Sequence, residues 1–188
     1  NQILSVTFTN KAAKEMHSRV SKILKYEAIG LSWLGTFHSI CAKILRKHAK
    51  AAGLNSNFTI LDTDDQIRLI KNICKSENID TKKLSPRIIL SIIDKWKNNG
   101  WLPNNVVLKK KDIFERIILP VYKIYQQKLI DLNCCDFGDL ILHCVNILEE
   151  NKDICQIYNN NFKYILVDEY QDTNFIQSKW LNILTKSN

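Results

Sequence analysis

Tyr164-Ile165-Leu166-Val167-Asp168-Glu169 is a run of four apolar residues leading straight into two carboxylates. The run reads as a strand buried in a parallel sheet. In an open sheet of that kind, ligands bind outside the carboxyl ends of the strands. A strand ending in Asp-Glu therefore delivers charge to an edge where it can be solvated, whereas the same groups in the core would be costly. The two carboxylates suit different tasks. A hard divalent cation is held by a group such as Asp168, often through water. Its neighbour Glu169 can orient and deprotonate an attacking water. A strand followed by the acidic first turn of a helix fits the same six residues, so the decision rests on what comes next.

What comes next is Tyr170-Gln171-Asp172-Thr173-Asn174. Together, Asp168 to Asn174 closely resembles motif II of the UvrD/Rep/PcrA group of superfamily 1 helicases, which begins with a Walker B strand. The resemblance implies that Asp168 coordinates Mg²⁺ and that Glu169 activates water for ATP hydrolysis. It also implies that Gln171 and Asp172 link the ATP site to neighbouring motifs.

Two further stretches resemble the same family. Thr7-Phe8-Thr9-Asn10-Lys11-Ala12-Ala13-Lys14-Glu15-Met16 is similar to motif Ia, a strand end running into a helix start. Hydroxyls and backbone N–H groups at a helix start suit phosphate oxygens, and Phe8 offers a face for base stacking. Without the resemblance, Phe8 fits equally well as core. Gly35-Thr36-Phe37-His38-Ser39 resembles motif Ib, which implies phosphate contacts for Thr36 and Ser39 and a hydrogen-bonding or stacking role for His38. The resemblance thus marks Thr7, Phe8, Thr9, Asn10, Thr36, His38 and Ser39 as DNA-binding. Lys43, Arg46, Lys47 and Lys50 follow on the next helix and would add attraction beside a DNA track. Cys134-Cys135-Asp136-Phe137-Gly138-Asp139-Leu140 is similar to the segment by which family members re-enter the ATPase domain, although many carry an acid where Gly138 stands.

The expected fold is α/β and helix-rich: a partial RecA-like P-loop NTPase domain with a parallel sheet and a mainly helical 1B-type insertion. Residues 1–59 form its first part, 60–132 the insertion, and 133–188 the second part with motif II. Strands are predicted over Ile3–Phe8, Leu31–Thr36 and Tyr164–Val167. Helices are predicted from Asn10, as cap, to about Leu24, and from Phe37 to a stop at Gly53. Others follow over Asp64–Lys75, Ser85–Trp96, Ile113–Leu132, Phe137–Leu148 and from Phe175. Within the insertion, Trp96 and Trp101 read as core and Lys109-Lys110-Lys111 as a solvated run.

Charge is unevenly spread over the 188 residues. The net +8 divides into +7 over residues 1–59, +5 over 60–132 and −4 over 133–188. A basic front and an acidic end suit a polyanion at one and a cation at the other. The six cysteines form no C-x-x-C pair, which favours free thiols in a reducing cytoplasm. No membrane span or signal peptide is expected.

No G-x-x-x-x-G-K-[ST] loop occurs in these residues, and Ile3 begins a strand already under way. An upstream segment with the P-loop is therefore expected. The family resemblance implies a piece of a 3′-to-5′ ATP-dependent DNA helicase in repair or replication, acting on single-stranded DNA and junctions. This stretch alone, with neither ATP nor Mg²⁺ held tightly, is expected to be inactive and to expose an apolar sheet edge. A non-catalytic single-stranded-DNA-binding module, or part of a helicase-nuclease subunit, are the alternatives.

Overall fold

The structure is a computed structural model that describes residues 2–24, 32–108 and 113–185. In chain order, β1 (Ile3–Thr7) leads into α1 (Asn10–Leu24), then β2 (Leu34–Thr36) into α2 (Phe37–Lys47). The short strand β3 (Thr59–Ile60) precedes three helices, α3 (Thr63–Ser76), α4 (Pro86–Asn98) and α5 (Ile113–Asp131). Another short strand, β4 (Cys134–Cys135), opens the return through α6 (Phe137–Glu150), α7 (Lys152–Asn161), β5 (Tyr164–Val167) and α8 (Phe175–Thr185).

β1, β2 and β5 form one parallel sheet in the order β2-β1-β5. Thr7 pairs with Thr36, and Val6 with Val167, so the carboxyl ends of the three strands lie in register. This alignment brings Phe8, Phe37 and Asp168 out at one edge. The chain is therefore a helix-rich α/β unit, consistent with a partial RecA-like domain.

Local chemistry explains most element ends. Thr9 Oγ1 accepts the Ala12 N–H at 3.1 Å, so Thr9, not Asn10, caps α1. Thr36, Asp62, Ser85 and Asp136 cap α2, α3, α4 and α6 through their side-chain oxygens. Pro86 sits in the first turn of α4, where its missing N–H costs nothing. The second helix stops at Lys47 rather than at Gly53. A separate 3₁₀ turn, Ala49–Ala52, follows it, and Gly53 closes that turn with φ 73°.

Two apolar clusters hold these elements. One gathers Leu4 and Val6 of β1 with Phe37, Ile40 and Ile44 of α2, Leu142 and Val145 of α6, and Trp180 of α8. The other lies among the helices α3, α4 and α5, around Ile70, Ile93, Trp96, Tyr122 and Tyr125. Trp101 packs against this second cluster, as expected of a core tryptophan. Between the clusters runs the parallel ladder β3–β4, pairing Thr59 with Cys134 and Ile60 with Cys135. The chain enters and leaves the helical segment through that ladder. The Lys109-Lys110-Lys111 run lies outside the described residues, as does Leu31 at the expected start of the second strand.

The strand expected to be buried departs most from its expectation. β5 lies at the sheet edge, and Tyr164 and Leu166 are 64% and 59% exposed. Both belong to the sheet face that carries Ile3, also exposed, while Ile165 and Val167 pack inward against the core. That apolar face of the sheet is thus open to solvent.

Asp94, on α4, carries a pH dependence. Burial, and after it the charge of Asp136, raise its carboxyl from 3.8 to about 6, with Lys97 opposing and Asp139 reinforcing. A carboxyl raised by folding contributes stability below its unfolded value, and that contribution is lost as pH rises through the folded value. Asp94→Asn should therefore match the parent in urea resistance below pH 4. It should become progressively the more stable of the two between pH 4 and 7. An unchanged difference across that range would refute the assignment.

Candidate nucleic-acid cleft and carboxylate pair

A cleft of about 260 Å³ opens at the carboxyl edge of the sheet, lined among others by Phe8, Asn10, Thr36, His38, Ser39 and Phe137. Phe8 follows β1, half-buried, its ring 5.3 Å from that of Phe37 at a tilt of 51°. His38 stands in the first turn of α2, and burial lowers its pKa below 6.5, keeping the imidazole neutral at pH 7. Phe137 meets it edge to face, centroids 5.9 Å apart and planes at 88°. Neutral and aromatic groups thus line the floor, a surface on which bases of any sequence can stack.

The start of α2 explains the pattern Gly35-Thr36-Phe37-His38-Ser39. Thr36 Oγ1 accepts the Ser39 N–H at 3.2 Å, and Ser39 Oγ donates to the Thr36 carbonyl at 2.9 Å. A Cβ at Gly35 would lie 2.5 Å from Ser39 Oγ, so a larger residue would break this turn. The Ser39 proton is spent locally; Thr36 keeps its own proton to donate. Thr9 and Asn10 are exposed beside the cleft, although Thr9 Oγ1 is engaged as the cap of α1.

Thr7, expected among the DNA-contacting hydroxyls, is buried, and its Oγ1 donates to Asp168 Oδ2 at 3.2 Å. Alternation along β1 puts Thr7 on the face of Ile3 and Ser5, and Phe8 on the opposite face with Leu4 and Val6, against the core. The strand end therefore joins the two halves of the site: Phe8 faces the cleft and Thr7 faces the carboxylates. Two of the basic residues on α2 also have local tasks. Lys43 donates to the Ser32 carbonyl, and Arg46 to those of Ser56 at 2.9 Å and Phe58 at 3.1 Å.

The carboxylate pair itself is exposed. Asp168 stays tied to the sheet through its N–H, which donates to the Val6 carbonyl at 3.0 Å. Glu169 takes the left-handed conformation, φ 52° and ψ 45°, which costs a non-glycine residue about 1–3 kcal/mol. That turn reverses the chain into the 3₁₀ segment Tyr170–Asp172. Gln171 Nε2 donates to Glu169 Oε2, which holds that oxygen in place. Asp172 takes part through its N–H, which donates to the Glu169 carbonyl at 3.0 Å. Asn174 and Gln177 then cap α8 reciprocally, each backbone N–H bonding to the other's side chain at 3.0 Å.

Among the described residues no group of three or more His, Cys, Asp or Glu gathers at a metal-holding spacing. A dedicated protein cage for a cation is not what this site offers. Asp168 with one oxygen held by Thr7 and one open does suit Mg²⁺, which keeps several waters and takes one or two carboxylates alongside phosphate oxygens. No described helix is long and apolar enough to cross a membrane. All six cysteines carry free thiols.

Reading the sequence missed two residues, one lining the cleft and one bonded to the residues that flank it. Phe137 stands three before Leu140, so periodicity alone assigns it to the apolar face of α6, whereas its ring is 49% exposed. Lys97 stands four after Ile93, where the stripe of α4 continues inward, and it is wholly buried. A lysine at a stripe position, with the aspartates Asp136 and Asp139 elsewhere, was the available signal.

Comparison with known proteins gives the family. The family profile described as "UvrD/REP helicase N-terminal domain" matches residues 1–188. A "probable DNA helicase II homolog" of Rickettsia conorii is 44% identical over 185 residues, covering 97% of this chain and 28% of the relative. An "ATP-dependent DNA helicase PcrA" of Staphylococcus epidermidis is 43% identical over 182 residues, covering 97% and 25% respectively. The chain thus spans about a quarter of the length of these relatives.

Proposed function

Because the chain belongs to the UvrD/REP helicase family through its N-terminal domain, we propose that it grips single-stranded DNA for an ATP-dependent DNA helicase and supplies that enzyme's metal- and water-handling carboxylates. One observation carries this reading. The neutral aromatic cleft of Phe8, His38 and Phe137 and the Asp168–Glu169 pair leave the same edge of one parallel sheet, joined through Thr7.

On this reading the cleft binds bases by stacking on Phe8 and Phe137, with His38 between them. Phosphates are taken by Asn10, by the hydroxyls of Thr9 and Thr36, by Ser39 when its Oγ–H exchanges the Thr36 carbonyl for a phosphate oxygen, and by backbone N–H groups at the helix starts. Asp168 would hold Mg²⁺, which with ATP bound supplies charge neutralisation at the phosphates. Glu169, steadied by Gln171, takes a proton at Oε1 from the attacking water. Asp172 braces the turn. Residues 1–59 and 133–188 act as one RecA-like part, and residues 60–132 as a 1B-like insertion. The setting proposed for it is a cytoplasmic helicase working 3′ to 5′ on DNA junctions in repair or replication. These residues hold no P-loop, so we propose further that this stretch alone turns over no ATP.

The cleft is tested by fluorescence anisotropy with a labelled oligothymidylate at low salt. Phe8→Ala should weaken binding by about tenfold, within the range of one stacking contact. Binding should also fall steeply with added salt. Affinity that survives both Phe8→Ala and Phe137→Ala would remove the cleft from the account.

A further inference from the structure

Lys97, near the end of α4, is fully buried, and Nζ donates to Asp136 Oδ2 at 2.6 Å and to Asp139 Oδ1 at 2.7 Å. α5 closes the cluster: the Tyr125 hydroxyl donates to Asp136 Oδ2 and Gln126 Nε2 to Asp139 Oδ1, each at 2.9 Å. The other two carboxylate oxygens accept backbone N–H groups, Asp136 Oδ1 from Asp139 at 2.9 Å and Asp139 Oδ2 from Asp136 at 3.3 Å. Every oxygen of the pair is satisfied. An apolar trio of equal volume would hold the helices together at least as firmly, because burying charges is expensive. What an ion cluster adds is geometry: it fixes direction and register.

The residue held in register is informative. Phe137 lies between the two aspartates and presents its ring to His38 in the cleft. Gly138 lets the lysine through, since a Cβ there would stand 2.9 Å from Lys97 Cδ and 3.2 Å from its Cβ. The next residue on α4, Asn98, accepts from Asn174 Nδ2 at 3.0 Å, and Asn174 caps the helix that follows the carboxylate pair. One helix end therefore touches both the residues flanking the cleft aromatic and the segment behind Glu169.

We propose that Lys97 is a positioning residue: with Asp136 and Asp139 it holds Phe137 edge-on to His38, while Asn98 ties the same end of α4 to Asn174. The helical segment thereby sets the shape of the cleft rather than merely resting on the sheet. This rests on the reading of the cleft as a single-stranded-DNA site.

The test uses the full-length protein and Lys97→Met/Asp139→Asn, which removes one charge of each sign. Oligothymidylate affinity should fall about tenfold. With Phe137→Ala already present, the same pair of changes should have almost no further effect, because both act through one ring. A general loss of structure would instead lower affinity in both backgrounds. Tyr125→Phe, which deletes a single hydrogen bond, is the milder second variant, with about a threefold loss expected and the same silence in Phe137→Ala. Fluorine resonances of 4-fluorophenylalanine-labelled protein, with Phe137 assigned by Phe137→Leu, report the ring directly and should shift in both variants. Additive losses, or unchanged affinity with an unmoved Phe137 resonance, would overturn the proposal. If the parent protein binds no oligothymidylate, the nucleic-acid reading fails. The fluorine shift then decides the positioning alone, an unmoved resonance sinking it and a shifted one supporting it.

Discussion

Glu169→Gln in the full-length protein should lower DNA-stimulated ATP turnover by about 10²–10⁴-fold, the usual contribution of a positioned general base. Glutamine keeps the size of the side chain and can still pair with Gln171, but it cannot take a proton. The left-handed backbone at this residue, φ 52°, is set by the turn into Tyr170–Asp172 rather than by the carboxylate, so the fold should survive. ATP and oligonucleotide affinities should change little, which places the loss in the chemical step. Asp168→Asn should behave differently. Its effect should be partly recovered by raising Mg²⁺, because that residue is assigned to the cation. Turnover unchanged in Glu169→Gln would remove the residue from the chemistry.

Lys97→Met alone should destabilise the fold by about 3–5 kcal/mol, since it strands two buried carboxylates facing one another. The directions of titration agree with that ranking. Burial would lower the Lys97 pKa, but Asp136 and Asp139 outweigh it and the net shift is upward. For Asp139, burial is overcome by Lys97, then His143, and the carboxyl is held below its ordinary range. Asp136 goes the other way, raised by burial and then by Asp139. Asp139 is therefore the committed anion and Asp136 the group that protonates first when the lysine is lost. Urea denaturation at pH 7 measures the loss, and lowering the pH toward 5 should restore part of it. A loss below about 1 kcal/mol, typical of an exposed pair, would contradict the burial on which it rests.

The sequence made some of this structure legible and hid the rest for physical reasons. The helices of the middle segment were readable because their caps, Asp62 and Ser85, and apolar stripes agree. The β3–β4 ladder was not, because two residues per strand leave no alternation to detect and its partners stand 75 positions apart. α7 escaped because Lys152–Asn161 is mostly polar and buries little beyond Tyr158 and Asn159. β5 was readable as a strand, but its apolar residues could not say whether both faces are covered. Thr7 and Phe8 show the finest limit. Adjacent residues of one motif leave the strand on opposite sides, and only the sheet register assigns one to Asp168 and the other to the cleft.

On the proposed function, one sheet edge presents single-stranded DNA to Phe8, His38 and Phe137 beside the carboxylate pair. Photocrosslinking of the full-length protein to an oligonucleotide carrying 4-thiothymidine, followed by mass spectrometric mapping, tests it most directly. The account predicts adducts in the peptides that contain Phe8, His38 and Phe137, lost when unlabelled oligothymidylate competes. Adducts confined to other surfaces, with these three peptides unmodified, would contradict it.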